Sequence, residues 1–321
     1  MVFAIYKCII KPLQPDLFSD HASDNLCYAQ DILHNILLSL PTIYKKSQKT
    51  GNEQPYTTTI LRSDEDVFVM RMSDPKGLQL IDIQQQPYDV VNFPPCYVIY
   101  DNRFGHSTLA IEKRSDSFNS NPDRVRDLLE KSISDALFAH ELRIEINIKK
   151  RVGDFWNIVD EYQQEQNDRV KSVKFSFPNP ALAAPVESKA ALAAEKLKYL
   201  TALTTAAKAT KGVLQLDSDE NTSLELKKQS DIGHMVALCC DNGYDLSVFF
   251  EQYGEFKYGE EKRMIKTIDE PVITHYVEGK DDPALWHGSS SELKEWLDDV
   301  FENAEKYVES HNLTKRGKKR N

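Results

Sequence analysis

The sequence predicts an α+β fold in two units. An N-terminal antiparallel β-meander with helices spans residues 1–152, and a C-terminal ferredoxin-like unit of β-α-β-β-α-β order spans residues 153–312, with appended strands and a final helix. A basic tail, residues 313–321, is expected to be disordered. Three observations carry this expectation. Short β-rich runs separated by turn residues fill the first half, two helical periods interrupt them, and the second half alternates strand and helix in the split order.

Val2 to Ile10 opens as a strand rich in β-branched and aromatic residues. Leu26, Ala29, Leu33, Ile36, Leu37 and Leu40 recur at helical spacing behind a Ser23/Asp24 cap, and Pro41 ends that helix. The stretch from Pro41 to Pro55 reads as polar and turn-rich. Tyr56–Leu61, Val67–Met72 and Leu78–Ile83 then read as three strands of a meander. Cys96–Tyr100 and Ser107–Glu112 flank Asp101-Asn102-Arg103-Phe104-Gly105, a loop that suits a longer hairpin connection. Asn121-Pro122 starts a helix whose buried stripe is Val125, Leu128, Leu129, Ile133, Ala136 and Leu137, and a strand follows over Leu142–Ile148.

A short helix from Gly153, with Phe155, Ile158, Val159 and Tyr162 on one side, marks the start of the second unit. Its order is strand Val170–Phe177, a Pro178-Asn179-Pro180 break, an Ala-rich helix from Ser188 to Thr210, and strand Gly212–Asp217. Strand Thr222–Lys227, a helix Asp231–Asp241 stopped by Asn242-Gly243, and strand Tyr244–Phe250 complete it. Strands Arg263–Ile268 and Val272–Val277 and a helix Ser290–His311 are appended.

Composition excludes several classes. Forty basic against 50 acidic residues leave a formal net charge of −10, and no run approaches the roughly 20 apolar residues of a membrane span. The N-terminus has no basic lead-in and no Arg-rich segment, so a cytoplasmic protein without stable membrane insertion is expected. Five scattered cysteines (Cys8, Cys27, Cys96, Cys239, Cys240) with no paired spacing read as buried thiols, neither a disulfide framework nor a zinc site. His234 shares a helix with Cys239 and Cys240, but at offsets that do not share a face, so core thiols are the better reading. No phosphate-binding Gly-rich loop and no nucleophile elbow occurs, which leaves NTP hydrolysis and acyl transfer unsupported. No cofactor is expected. His140-Glu141, at a helix end, reads as capping or surface.

The remaining signal is charge. Lys149, Lys150 and Arg151 cluster at the junction of the two units, Arg169, Lys171 and Lys174 run along the next strand, and Lys227-Lys228 end another. Lys315, Arg316, Lys318, Lys319 and Arg320 form a denser group in the tail. Such side chains neutralise phosphates, and the expectation is that they converge on double-stranded DNA. The competing reading is a solvated strand edge. A second class of function is a metal-dependent nuclease, with Asp217 and Glu225 across a hairpin holding a cation and Lys227 supporting the attacking water. A third is a protein-interaction subunit of a defence complex, docking through the acidic final helix.

The order of elements resembles the A-protein family of the Rex exclusion systems of lambdoid prophages. The resemblance lies in the Phe3-Ala4-Ile5-Tyr6-Lys7 and Val67-Phe68-Val69-Met70 strands, the Tyr97-Val98-Ile99-Tyr100 hairpin with Phe104-Gly105, and the Val125–Leu137 helix. It continues through the Gly153-Asp154-Phe155 helix start, the Val170-Lys171-Ser172-Val173-Lys174 strand and a Val272-Ile273-Thr274-His275-Tyr276 strand. It is a likeness of plan and transfers no site residue. It implies a non-enzymatic, homodimeric DNA-binding sensor of abortive infection that signals to a partner effector. The acidic balance departs from that picture.

Overall fold

Strand β1 (Val2–Pro12) is buried on both faces from Phe3 to Lys11, which places it inside a sheet covered on two sides. The computed structural model describes residues 1–13, 26–40, 43–46, 53–178, 198–259, 263–278 and 293–298, apart from positions 27, 65–66, 82, 104–105, 208, 210, 269 and 294. The architecture is α+β with antiparallel sheets.

The first hairpin, β2 (Ile43–Lys46) with β3 (Glu53–Tyr56), lies where a polar turn region is expected, and its register sets buried Ile43 opposite buried Tyr56. The large sheet uses β4 (Thr58–Asp64), β5 (Val67–Ser73), β8 (Pro95–Asp101), β9 (Thr108–Glu112) and β10 (Leu142–Ile148) in the order β10-β1-β9-β8-β5-β4. A short strand, β15 (Ile265–Thr267), also pairs with the start of β1. The expected hairpin is present as β8 and β9, with Val98 opposite Ile111, while its Phe104 and Gly105 lie outside the described residues.

The expected three-strand meander stops at two. Both edges of β5 are taken, by β4 and β8, so β6 (Lys76–Ile81) leaves the sheet and pairs with β7 (Pro87–Asn92) as a separate ribbon.

Helices α1 (Ala29–Leu38) and α2 (Pro122–Leu137) cover one face of the large sheet, over Tyr6, Cys8, Phe68, Val98 and Leu109. Pro122 sits at the α2 start, and the Asn121 side chain accepts a hydrogen bond from the Asp123 amide at 3.0 Å. Ser23 and Asp24, the expected cap of α1, lie outside the described residues, and Tyr28 at its start provides no side-chain cap.

The second sheet contains β11 (Val170–Pro178), β12 (Lys211–Asp217), β13 (Leu246–Phe250) and β14 (Gly254–Lys257) in the order β12-β11-β13-β14. Helices α3 (Val152–Asp160), which runs into a π-helical turn, and α5 (Asp231–Asn242) pack Phe155, Trp156, Val236, Cys239 and Cys240 against Val173, Phe175, Val248 and Phe250. Between them, α4 (Lys198–Ala206) is the described part of the expected Ala-rich helix. Thr222–Lys227 is not a strand. The edges of β11 are filled by β12 and β13, and this segment instead crosses the end of β11, where the Leu224 amide donates to the Val170 carbonyl at 2.8 Å. Without that strand the β-α-β-β-α-β arrangement is not reached.

The described residues from Met264 onward return to the first sheet, although the sequence groups them with the second unit. Helix α6 (Glu270–Glu278) replaces the expected strand Val272–Val277. Its β-branched run suggests a strand, but Pro271 suits a first helical turn, and Ile273 reaches the core. Ile273, Leu293 and Leu297 cover Phe3, Ile5, Val69 and Ile99 on the second face of the large sheet. The expected helix Ser290–His311 is described as helical only at 293 and 295–298.

The two sheets meet where β10 ends against the C-terminus of α5. Lys149 is 2 % exposed and its Nζ lies 2.5 Å from the Asp241 carboxylate, while the Lys150 amide donates to the Cys240 carbonyl at 2.9 Å. Both lysines therefore sit at the negative end of the helix dipole. Burial alone would raise the Asp241 carboxyl, but Lys149 and Lys7 hold it below its ordinary range. Replacing Asp241 by Asn removes the carboxylate that faces the buried Lys149 ammonium and is expected to cost about 3 kcal/mol in urea unfolding near neutral pH. Because the folded-state value of Asp241 is depressed, its stabilisation is complete above the ordinary carboxylate range and is lost as pH falls through that folded value. The gap between wild type and Asp241→Asn should therefore narrow on acidification.

Candidate functional site

Strand alternation gives the second sheet one helix-covered face and one open face. Val173, Phe175, Val248 and Phe250 point into the core, and the opposite parity carries Lys174, Lys211, Val213, Gln215, Phe249 and Lys257. The register aligns Gln215, Lys174, Ser247 and Lys257 in one row across all four strands.

That row borders a cleft of about 680 Å³, closed on its other side by Ile146–Ile148 of β10 and by Arg126 of α2. Five cations line it, Arg126, Lys150, Lys174, Lys211 and Lys257, against two carboxylates, Asp245 and Glu255. Gly243, Leu246 and Tyr258 form part of its wall. Burial works against a charge on Arg126, yet Asp127, 2.7 Å from its guanidinium, and Asp123 raise its pKa above the ordinary value. Lys150 is 9 % exposed and donates to the Tyr244 carbonyl at 3.1 Å, a bond that uses one of its three donors. Lys211 stands 3.0 Å from Asp245 and Lys257 stands 3.8 Å from Glu255, in exposed pairs that stabilise little and exchange readily for another anion. Lys174 is exposed and makes no ion pair among the described residues. The Tyr258 hydroxyl donates to the Arg151 carbonyl, and burial raises its pKa, so it remains a phenol.

Of the basic residues singled out in the sequence, Lys150 and Lys174 line the cleft. Lys149 is spent on Asp241 in the junction. Arg151 is exposed beside it. Arg169 lies 3.8 Å from Glu251, and Lys171 holds the loop after β12 through the carbonyls of Asp219, Glu220 and Thr222. Lys227 pairs with Glu225 and Lys228 with Asp160, each at 2.5 Å. Among the described residues these side chains do not converge on a single cationic trough. Lys315, Arg316, Lys318, Lys319 and Arg320 lie outside the described residues. Arg126, Lys211 and Lys257 were the side chains that sequence reading missed. The alternation of Lys211, Val213 and Gln215, and of Glu255 and Lys257, was the signal available for two of them.

The nuclease arrangement also fails geometrically. With residues 222–227 irregular, Asp217 and Glu225 do not face each other across a hairpin. Each is solvent-exposed and held below the ordinary carboxylate range by a neighbour, Asp217 by Gln215 and Ser172, Glu225 by Lys227. Among the described residues no group of three or more His, Cys, Asp or Glu side chains could hold a metal ion. Cys8, Cys96, Cys239 and Cys240 are buried free thiols, and burial pushes Cys239 up to about 12. Cys27 lies outside the described residues.

No family model matches the chain, and no curated protein or solved structure matches it significantly. The site is therefore read from its own geometry.

Gly243 joins helix, junction and cleft. It stops α5 at φ +69°, and a Cβ built there would lie 2.5 Å from the Ile148 carbonyl oxygen. Gly243→Ala combines left-handed strain with a backbone clash and should destabilise the protein by about 2 kcal/mol or more, read from the urea midpoint.

Proposed function

We propose that the chain is a DNA-contacting sensor of the abortive-infection type, which holds the phosphate backbone of double-stranded DNA in this cleft and signals to a partner effector protein. The observation that carries the reading is the cleft itself, with five cations against two carboxylates in a protein whose overall charge is −10. A local cationic surface on an acidic chain has to be assembled by the fold, and here five separate parts of the chain contribute to it. The likeness of plan to the Rex exclusion A proteins supports the biological setting, although the strand over Val272-Ile273-Thr274-His275-Tyr276 on which it partly rests is helix α6.

The chemistry is that of positioning. Lysine ammonium groups and one guanidinium bind phosphate oxygens without reading base edges, so affinity comes without sequence preference. About 680 Å³ admits a short run of phosphates from one strand, and the duplex would lie along the mouth of the cleft. Among the described residues no helix is long and apolar enough to cross a membrane.

Binding of a short duplex, followed by fluorescence anisotropy, should weaken about a hundredfold between roughly 50 and 200 mM salt, as release of four or so counterions requires. The double variant Lys174→Glu/Lys257→Glu alters two exposed side chains, so the fold should persist while affinity falls at least about tenfold and the salt slope flattens by about two. Affinity unchanged by either treatment would remove the reading.

A further inference from the structure

The cations that line the cleft differ in what they already hold. Lys211 faces Asp245, Lys257 faces Glu255 and the Arg126 guanidinium faces Asp127, whereas Lys150 and Lys174 form no ion pair among the described residues. These two also differ in depth. Lys174 is exposed on the open face of the sheet, at the mouth, while Lys150 is 9 % exposed on the facing wall, just past the end of β10. The Cys239 and Cys240 thiols beside Lys150 do not answer its charge, because burial pushes Cys239 up to about 12 and raises Cys240 well above its ordinary value. A buried ammonium that opens onto a cleft and meets one carbonyl, that of Tyr244, is short of negative charge.

A duplex does not supply that charge. A volume of about 680 Å³ corresponds to a cube about 9 Å on a side, narrower than the roughly 12 Å of a major groove alone, so paired strands stay at the mouth with the lysines of the sheet. The size is that of a small-molecule pocket. We propose that the inner part of the cleft is a binding site for a free polyphosphate anion, which bridges Lys150 to Lys174 and competes with DNA for the lysines at the mouth. The site rests on Lys150 and the shape of the cleft, and the competition rests on the reading of the cleft as a DNA contact. A single phosphate answers one cation, whereas cations on facing walls call for an anion whose charge is spread along its length. Binding is all that the site performs. The sequence has no Gly-rich phosphate loop, and among the described residues no carboxylate group could hold a metal, so the anion serves as an effector that fills the cleft when abundant and yields it to DNA when scarce.

Calorimetric titration of the full chain with sodium tripolyphosphate, at fixed ionic strength, should show one site per chain with affinity at least about tenfold above that for orthophosphate. ATP without a divalent cation separates the two sources of this chemistry: affinity equal to or above that of tripolyphosphate assigns the site to nucleoside polyphosphates, and weaker affinity assigns it to inorganic ones. Lys150→Gln should weaken tripolyphosphate at least about tenfold and change duplex affinity, read by fluorescence anisotropy, by less than about twofold. Where that variant fails to fold, Lys174→Gln, at an exposed position, should weaken both ligands, and tripolyphosphate should displace the duplex from the wild-type chain where sodium chloride of equal ionic strength does not. Tripolyphosphate bound no more tightly than orthophosphate overturns the proposal, as does binding indifferent to Lys150→Gln in a folded protein, or to Lys174→Gln, or a duplex that stays bound under saturating tripolyphosphate. A chain that binds tripolyphosphate but no duplex removes the DNA reading and keeps the site, and a chain that binds duplex but no tripolyphosphate does the reverse.

Discussion

A buried ammonium at the end of β10 constrains the whole arrangement. Lys149 is buried, and its ammonium faces Asp241, in the last turn of a helix that belongs to the other sheet. Satisfying that one charge fixes the docking of α5 on β10. The Lys150 amide and the close approach of Gly243 to Ile148 then follow as parts of the same contact. Everything that makes the cleft depends on this docking, because one wall is β10 and the other is the open face of the sheet to which α5 is packed. The pair gives geometry more than net stability, since desolvating two charges offsets much of their attraction. Its value is that a misdocked arrangement separates two buried, opposite charges.

Much of the local structure was readable from the chain because local signals and tertiary demand agreed. Strand Leu142–Ile148 has the expected bounds, α2 begins at the Asn121-Pro122 signal, and Gly243 stops α5 in the left-handed conformation that only a glycine accepts without strain. Errors occurred where sheet edges decided the outcome. Leu78–Ile83 and Thr222–Lys227 have strand-like composition, but pairing depends on a free edge beside them, and β5 and β11 had none left. The first segment found a partner in β7 and formed a ribbon. The second crossed a strand end without joining the sheet. At Val272–Val277 a β-branched run became a helix because covering Phe3 and Ile5 required a helical face there.

The site was less legible than the fold, for a reason that applies to charge in general. Clustering along the chain says little about clustering in space. Lys149, Lys150 and Arg151 are consecutive, yet the first closes a junction, the second reaches the cleft and the third is exposed beside it. Adjacent residues in an extended segment point to opposite sides, so a basic run distributes its charge across faces. The cations that do meet come from α2, the end of β10, and three strands of the second sheet, each separately unremarkable in sequence. Only the register, which aligns Lys174 and Lys257 through Ser247, makes them a set.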